Sequence, residues 1–349
     1  MIVNLNNILL TSVGRRSYLV EYFKQALAGR GQVICANMYA DTAAMYVADQ
    51  SVVVPASHDS TYIPKILELC RDYQIKLLSS FHDLDIYILS QHQDKIRQTG
   101  TFPMLPSADW GRIALDKLEC HHYLTQHGFN PPWTTSDLSE AVTALAQGWL
   151  KFPVIIKARM GFGSLGLQRC YSLEALQAAY MLAREQVYNL NVGGQALLHP
   201  DESILIQQSI QGRELHINVI NDLAGQYVCH FMCEVHAMRA GESDRATTVE
   251  SSLAGDLPMR LSELTRHSGI WGVDCMDDNG VLRIIDINPR FAGEYPFFHL
   301  AGADIPRAII AWRSGIKPEP SWLKIKTGVH GIKDIKMIRT DNEHLEWSS

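Results

Sequence analysis

The chain has 349 residues, of which 46% are hydrophobic and 19% are charged, and its formal net charge at pH 7 is −6. The length is sufficient for two or three compact units, and the composition is typical of a globular protein. The acidic balance provides no basic surface for a nucleic-acid backbone, so we predict no nucleic-acid partner. No stretch approaches the roughly 20 apolar residues of a membrane span, and the apolar N-terminus is predicted to be a strand instead of a signal peptide.

The seven cysteines are scattered along the chain and contain no CxxC pair. We therefore expect them to be reduced, as they are in a cytoplasmic protein. Cys229 and Cys233 lie close in sequence to His230 and His236, which raises the question of a zinc site. The surrounding segment alternates like a strand, which divides these side chains between two faces, so ordinary packing is the better interpretation.

The first hundred residues alternate short apolar runs with amphipathic patterns of helical period. The runs NILLTSV, QVICANM, SVVVP and KLLSSF predict strands, whereas SYLVEYFKQALAG and YIPKILELCRDY predict helices. This order of elements predicts an open parallel βαβ sheet. Such sheets bind ligands in the crevice at the carboxyl ends of their strands.

Several charged residues follow strands of this predicted sheet. Arg15 and Arg16 lie between the first strand and the first helix, and His82, Asp83 and Asp85 follow another strand. We predict that these side chains face the crevice, and a solvated loop is an equally open alternative for each. The loop after the first strand lacks GxGxxG, which argues against a dinucleotide ligand.

A second unit is predicted to begin after the proline-containing segment FPMLPS. Helical patterns cover residues 108–127 and 136–147, and FPVIIKA predicts a strongly apolar strand. A helix over residues 173–186 and a long polar loop, NLNVGGQALLHPDES, come next. The runs SILIQQSI, ELHINVI and QYVCHFM then predict a mainly antiparallel sheet.

A glycine-rich segment, KARMGFGSLG, lies between two strand-like runs and contains Gly161, Gly163 and Gly166. A dinucleotide fingerprint would open a helix, and a protein kinase would place its lysine after the loop, whereas Lys157 precedes it here. We predict the turn of a β-hairpin that closes over a triphosphate, with backbone amides and Ser164 as donors. A plain surface turn is the alternative.

The segment GVDCMDDNGVLRIIDINPRF predicts a second hairpin, which turns at DDNG. On its outgoing strand Asp286 and Asn288 share one face, and Asp274 on the incoming strand can lie diagonally across from Asp286. Two carboxylates and an amide oxygen suit one or two Mg²⁺ ions that also bind substrate phosphates. Acidic side chains on an exposed strand face are the alternative.

Taken in order, the segments SVGRR, DK, PVIIKAR with its glycine loop, IQQSIQGREL and IDINPRF resemble the ATP-grasp superfamily. The resemblance is narrower to its carbamoyl-phosphate-synthase-like carboxylate–amine ligases, and it covers nearly the whole chain. It implies an α/β fold in which an N-terminal Rossmann-like (pre-ATP-grasp) domain precedes a two-lobed α+β ATP-grasp domain. The implied units are the Rossmann-like domain over 1–107, the small lobe over 108–187, the large lobe over 188–315 and a C-terminal extension over 316–349.

The resemblance also implies that ATP lies between the two lobes, with its phosphates under the loop from Gly161 to Gly166. It assigns Lys117 and Lys157 to the phosphates, Gln207 to the adenine amino group, the backbone of Gln208 and Ile210 to further hydrogen bonds, and Glu214 to the ribose. The family usually has an acidic residue in the pair at 207 and 208, and this chain has glutamine at both positions.

By the same resemblance Asp274, Asp286 and Asn288 match the family's magnesium ligands, with aspartate in place of the more frequent glutamate at position 286. Arg290 matches an arginine that stabilises charge on the transferring phosphoryl group. Glu294 lies where biotin-carboxylase-like relatives have a base, so it could deprotonate an incoming amine or serve as a partner of Arg290.

Arg239 and Arg245 are candidates for contacting the γ-phosphate or the substrate carboxylate, with a solvated loop as the alternative. The implied reaction uses ATP and Mg²⁺, or Mn²⁺, to activate a small-molecule carboxylate as an acyl phosphate, which an amine attacks with release of ADP and phosphate. A bicarbonate-using carboxylase or carbamate-kinase-like enzyme and a non-catalytic ATP-binding module are the alternatives. The expected partners are the acid and the amine, without nucleic acid or membrane, and a homodimer is common in the family.

Overall fold

The computed structural model describes residues 6–161, 166–190 and 202–340. Within these ranges the chain forms one parallel sheet and two antiparallel sheets, with helices packed against them. This arrangement confirms the predicted α/β fold class. None of the helices in the described ranges has the length and apolar character that crossing a membrane requires.

The N-terminal sheet is parallel, as predicted, because a helical connection between successive strands lets each strand run in the same direction. Its elements in chain order are β1 (Ile8–Thr11), α1 (Ser17–Leu27), β2 (Val33–Asn37), α2 (Ala43–Val47), β3 (Gln50–Val53), α3 (Tyr62–Asp72), β4 (Leu77–Ser80), α4 (Asp83–Ser90), α5 (Gln93–Gln98) and β5 (Phe102–Pro103). The strand order is β3-β2-β1-β4-β5. The carboxyl ends of β1 and β4 therefore lie side by side.

The next elements in chain order form a small sheet with its helices. They are α6 (Ala108–Leu115), α7 (Lys117–Gln126), β6 (Thr134–Thr135), α8 (Leu138–Ala146), β7 (Val154–Ala158), β8 (Gln168–Cys170), α9 (Leu173–Leu190) and β9 (Ile204–Gln208). The sheet is antiparallel and has the strand order β6-β9-β7-β8. Because Val154 pairs with Cys170, β7 and β8 form the predicted hairpin around the glycine loop.

The helix predicted over residues 108–127 is interrupted at Asp116, so it forms α6 and α7 instead of one helix. Asp116 has an extended backbone, and its carboxylate accepts hydrogen bonds from the backbone N–H groups of Leu118 and Glu119. The same carboxylate pairs with Arg159 at 2.7 Å. This cap starts a new helix at Lys117 and directs that lysine toward the glycine loop.

The remaining elements form a large sheet with its helices. They are β10 (Arg213–Asn221), β11 (Tyr227–Arg239), β12 (Glu242–Val249), α10 (Leu257–Thr265), β13 (Ile270–Asp278), β14 (Val281–Asn288), α11 (Tyr295–Leu300), α12 (Ile305–Arg313) and β15 (His330–Ile332). The sheet is antiparallel and has the strand order β14-β13-β10-β11-β12-β15. Strand β15 lies in the predicted C-terminal extension and adds to this sheet beside β12.

One hydrophobic core joins the N-terminal sheet to the large sheet. Phe23 on α1 contacts Phe291 at a ring-centroid distance of 5.8 Å, and Phe291 contacts Tyr295 on α11 at 4.9 Å. All three side chains are almost fully buried. Because aromatic burial of this size stabilises strongly, the core fixes the carboxyl edge of the N-terminal sheet beside the large sheet.

A buried carboxylate anchors α4 to the N-terminal sheet. Asp85 is 1% exposed, and its Oδ2 accepts hydrogen bonds of 2.6 Å from the hydroxyls of Thr11 and Ser80. Its Oδ1 accepts a further bond from the hydroxyl of Tyr62. Three hydroxyls, from two strands and a helix, thus donate hydrogen bonds to one carboxylate.

Substituting Asp85→Ala is expected to lower the free energy of unfolding by about 3 kcal/mol, because it leaves buried hydroxyls without an acceptor. Urea denaturation measures this change. The matched control is Asp94→Ala, since Asp94 is 95% exposed on α5, and its effect should stay within about 0.5 kcal/mol. Equal stability of the two variants would contradict the anchoring role of Asp85.

Candidate active site

A cavity of about 550 Å³ lies where the carboxyl ends of β1 and β4 meet the large sheet and the start of the glycine loop. Residues of both charges line its wall. The charged residues that line it are Arg15, Arg16, Asp83, Lys117, Lys157, Glu214, Glu242, Asp274, Asp286, Arg290 and Glu294. The crevice predicted from the order of strands is therefore one wall of a larger site.

The predicted metal ligands come together on the exposed end of the large sheet. Asp274 on β13 pairs directly with Asp286 on β14, so these residues are opposite each other and not diagonal as predicted. Asn288 lies two residues further along β14, and its Nδ2 donates to Asp274 Oδ2 at 3.0 Å. Two carboxylates and an amide oxygen on neighbouring strands fit the oxygen ligands that Mg²⁺ prefers.

The two predicted phosphate-binding lysines lie beside these carboxylates. Lys117 Nζ is 3.3 Å from Asp286 Oδ2 and donates to the carbonyl of Gly161 at 3.2 Å. Lys157 Nζ donates to the carbonyl of Ile285 at 3.0 Å. Burial tends to lower the pKa of Lys117, but Asp286 and Asp83 outweigh it and raise that pKa. For Lys157 burial outweighs Asp286 and lowers the pKa to about 8.

Arg290 connects the N-terminal sheet side of the site to the large sheet side. Its Nε donates to Asp83 Oδ1 at 2.8 Å and its Nη2 to Asp83 Oδ2 at 3.3 Å. Nη2 also donates to Asn288 Oδ1 at 2.9 Å. Burial tends to raise the pKa of Asp83, but Arg290 outweighs it and holds that pKa at about 2. The two residues therefore form a buried ion pair that links α4 to the end of β14.

His216 on β10 was not predicted as a site residue, yet it lies between two that were. Its Nδ1 is 2.5 Å from Asp274 Oδ1 and 3.3 Å from Glu294 Oε2. Burial tends to lower the pKa of His216, but Glu294 and Asp274 outweigh it and raise that pKa. The alternation of Glu214, His216 and Asn218 with apolar residues along β10 is the sequence signal that could have placed His216 on this face.

A further group of charges closes the cavity on the side of the N-terminal sheet. Glu242 Oε1 accepts from Arg16 Nε at 2.9 Å, and Glu242 Oε2 is 3.5 Å from Lys333 Nζ. Burial tends to raise the pKa of Glu242, but Arg16 and Lys333 outweigh it and lower that pKa to about 2. Neither Glu242 nor Lys333 was predicted, because nothing in the local sequence indicates that β12 and the C-terminal extension approach Arg16.

The residues assigned to adenosine are less closely grouped. Glu214 lines the cavity, and its burial, helped by Asp274 and Glu294, raises its pKa to about 7. Gln207 is buried and donates through Nε2 to Thr134 Oγ1 at 2.8 Å, and Gln208 is exposed. The remaining predicted nucleotide residues divide as follows: Gly161 lines the cavity, Ile210 is buried, Gly166 lies at the end of the loop, and Gly163 and Ser164 lie outside the described residues.

The structure does not bring three other candidates to the cavity. Arg239 pairs with Asp244 at 2.7 Å, whereas Met238 lines the cavity, because successive side chains along β11 point to opposite faces. Arg245 is exposed on β12, a strand in the segment for which a solvated loop was the alternative. Asp85 points into the core beneath the crevice.

Comparison with known proteins identifies the family of this chain. Residues 114–294 match the model of an ATP-grasp domain, and residues 8–104 match that of a PylC-like N-terminal domain. The first match alone covers just over half of the chain. The chain belongs to the ATP-grasp family. This confirms the resemblance found in the sequence and supports the prediction that ATP and Mg²⁺ are its cofactors. No curated protein matches the sequence significantly.

Solved structures with the same fold include three enzymes of low sequence identity. The biotin carboxylase domain of Hydrogenobacter thermophilus 2-oxoglutarate carboxylase, in complex with MgADP and bicarbonate, has a TM-score of 0.73 at 16% identity over 93% of this chain and 73% of that one. Biotin carboxylase from Campylobacter jejuni has a TM-score of 0.66 at 19% identity over 94% and 75%. N5-carboxyaminoimidazole ribonucleotide synthetase from Thermotoga maritima has a TM-score of 0.64 at 17% identity over 92% and 78%.

Proposed function

We propose that this ATP-grasp protein is a carboxylate–amine ligase, which forms an amide bond between small molecules through an acyl phosphate. The observation that carries the proposal is the grouping of Asp286, Lys117 and Lys157 at one end of the cavity, with Arg290 facing them. These residue types serve phosphate chemistry, and Glu294 and Glu242 line the same cavity. Such an arrangement suits a nucleotide and a second substrate that meet at one centre.

Phosphoryl transfer requires the negative charge of the phosphates to be offset, and it needs no covalent enzyme nucleophile. Bound Mg²⁺ would supply Lewis-acid stabilisation of the phosphate oxygens, held by Asp274, Asp286 and Asn288. Lys117 and Lys157 would bind the phosphates and orient them for in-line attack by the substrate carboxylate. Arg290 would donate to the oxygens of the phosphoryl group as their charge increases. A glycine loop that closes over the phosphates would then exclude water from the acyl phosphate.

The second step requires a base for the incoming amine, and Glu294 is suited to that role. Its carboxylate accepts a hydrogen bond from the hydroxyl of Ser243 and lies near His216. Burial tends to raise the pKa of Glu294, but His216 and Ser243 outweigh it and lower that pKa, which keeps the side chain ionised. An ionised carboxylate facing the cavity can accept the proton that the amine releases when it attacks the acyl carbonyl.

A second candidate function is the activation of bicarbonate. It is supported by the position of Glu294 and by the fold shared with a carboxylase domain that was crystallised with bicarbonate. The two candidates differ in whether ATP turnover requires an amine, and this difference is what the following experiment measures.

The experiment that tests the proposal is a measurement of ADP release with ATP and Mg²⁺. Amino acids and small carboxylates are offered in pairs, and bicarbonate is offered alone and with amines. We expect release to require both an acid and an amine. The Lys157→Met variant should release no ADP above background, because it lacks the cation that binds the phosphates.

Release with bicarbonate and no amine would favour the carboxylase instead. Release that is equal in the Lys157→Met variant would come from a contaminant and would contradict an activity of this site.

A further inference from the structure

We propose that His216 is a positioning residue, which orients the metal ligand Asp274 and the candidate base Glu294 through one imidazole nitrogen. The inference rests on the proposed function, since it concerns the same site. It adds a residue that connects the phosphate end of the cavity to the end where the amine reacts. The geometry that supports it comes from three adjacent strands of the large sheet.

The sheet register aligns His216 with the metal-binding carboxylates. His216 on β10 pairs with Asp274 on β13, and Asp274 pairs with Asp286 on β14. Directly paired side chains on one face have Cβ atoms only about 5 Å apart, so the three form a row across the sheet. A one-residue shift of β10 would turn His216 to the opposite face. The contact between His216 and Asp274 is therefore fixed by the backbone.

The imidazole uses both of its nitrogens. Nδ1 is 2.5 Å from Asp274 Oδ1 and 3.3 Å from Glu294 Oε2, and Nε2 is 2.8 Å from Asn218 Nδ2. His216 and Asn218 are 1% and 0% exposed, so water does not compete for these bonds. A side chain that only filled space here would not need polar partners on both sides.

The backbone also leaves a space of the right shape for the ring. Gly272 on β13 lies opposite Asn218, and a Cβ at this position would be 2.8 Å from His216 Cε1. The same Cβ would be 2.8 Å from the Cβ of Ala292. Gly272 thus lets the imidazole lie against the strand between the two carboxylates.

This contact determines how Asp274 presents its oxygens. Oδ1 is held by His216, and Oδ2 faces Asn288 and the candidate metal position. Without the imidazole, the carboxylates of Asp274 and Glu294 would repel each other with no donor between them. Asp274 would then lose its fixed orientation, and metal ligands that lose a hydrogen-bonded partner typically lose about 10- to 100-fold in affinity.

The test compares His216→Leu with His216→Asn in the full chain. Asparagine retains an N–H donor near the position of Nδ1, whereas leucine fills the space without one. The protein is saturated with a non-hydrolysable ATP analogue and titrated with Mn²⁺, and free Mn²⁺ is followed by EPR. We expect His216→Leu to raise the dissociation constant of Mn²⁺ about tenfold or more, and His216→Asn to restore most of that loss.

The control is His267→Leu, because His267 is also buried on the large sheet side but does not line the cavity. It should change stability without changing Mn²⁺ binding. Mn²⁺ binding by His216→Leu that equals or exceeds that of the unsubstituted chain would overturn the proposal, and so would equal losses in the leucine and asparagine variants. Failure of the ligase proposal alone would leave this titration intact, since it contains neither acid nor amine.

Discussion

Substituting Asp286→Asn is expected to lower the rate of ADP release by about 10³-fold, with the chain still folded. The carboxylate is the member of the metal set that also pairs with Lys117, at 3.3 Å. An amide removes the negative charge that a divalent cation needs, and metal stabilisation of a phosphoryl transition state amounts to several kcal/mol. Steady-state measurements at saturating ATP and Mg²⁺ check the loss.

The matched control is Asp278→Asn, the same chemical change at the other end of the same hairpin. Asp278 pairs with Arg283 at 3.1 Å and does not line the cavity. Its variant should release ADP at a rate close to that of the unsubstituted chain. A rate for Asp286→Asn within about tenfold of this control would remove Asp286 from the metal site.

The second large effect is expected at Arg290, where stability and turnover can be separated. Arg290→Met leaves Asp83 buried and unpaired, and breaking a buried ion pair in this way costs about 3–5 kcal/mol of unfolding free energy. The double variant Asp83→Asn/Arg290→Met removes both charges and should recover most of that stability. Turnover should stay lower by about 10²–10³-fold in both variants, because neither can donate to the phosphoryl oxygens.

Urea denaturation and ADP release, measured on the same preparations, check this prediction. Asp83 lies on the N-terminal sheet side and Arg290 on the large sheet side, so the pair also serves as a structural link. Recovery of turnover together with stability in the double variant would show that Arg290 acts only through that link. It would then have no place in the chemistry.

Several charged residues that line the cavity are paired with one another. Lys117 is paired with Asp286, and Arg290 is paired with Asp83. Both cations are those assigned to ATP or to the phosphoryl group, and both partners are carboxylates of the same site. Binding of a metal and of phosphates would exchange these pairs for new ones, so these buried charges would keep partners of opposite sign.

The sequence predicted much of the fold because its local patterns agree with the tertiary structure. The short apolar runs in NILLTSV and KLLSSF and the helical period of SYLVEYFKQALAG each identify one element, and β1, β4 and α1 lie within them. The division at Asp116 was missed because a residue favourable for a helix cap also occurs inside helices. Strand β12 was missed because its polar residues resemble a loop.

The sequence by itself determined most of the elements, the family and the side chains of the hairpin proposed to bind metal, because these depend on short-range patterns of spacing. Asp286 and Asn288 share a face wherever that strand is placed. Only the tertiary structure decided that His216 lies between Asp274 and Glu294, that Asp83 holds Arg290, and that Arg239 points away. These contacts join segments far apart in the chain, and their register follows from packing of the shared core, which no local pattern encodes.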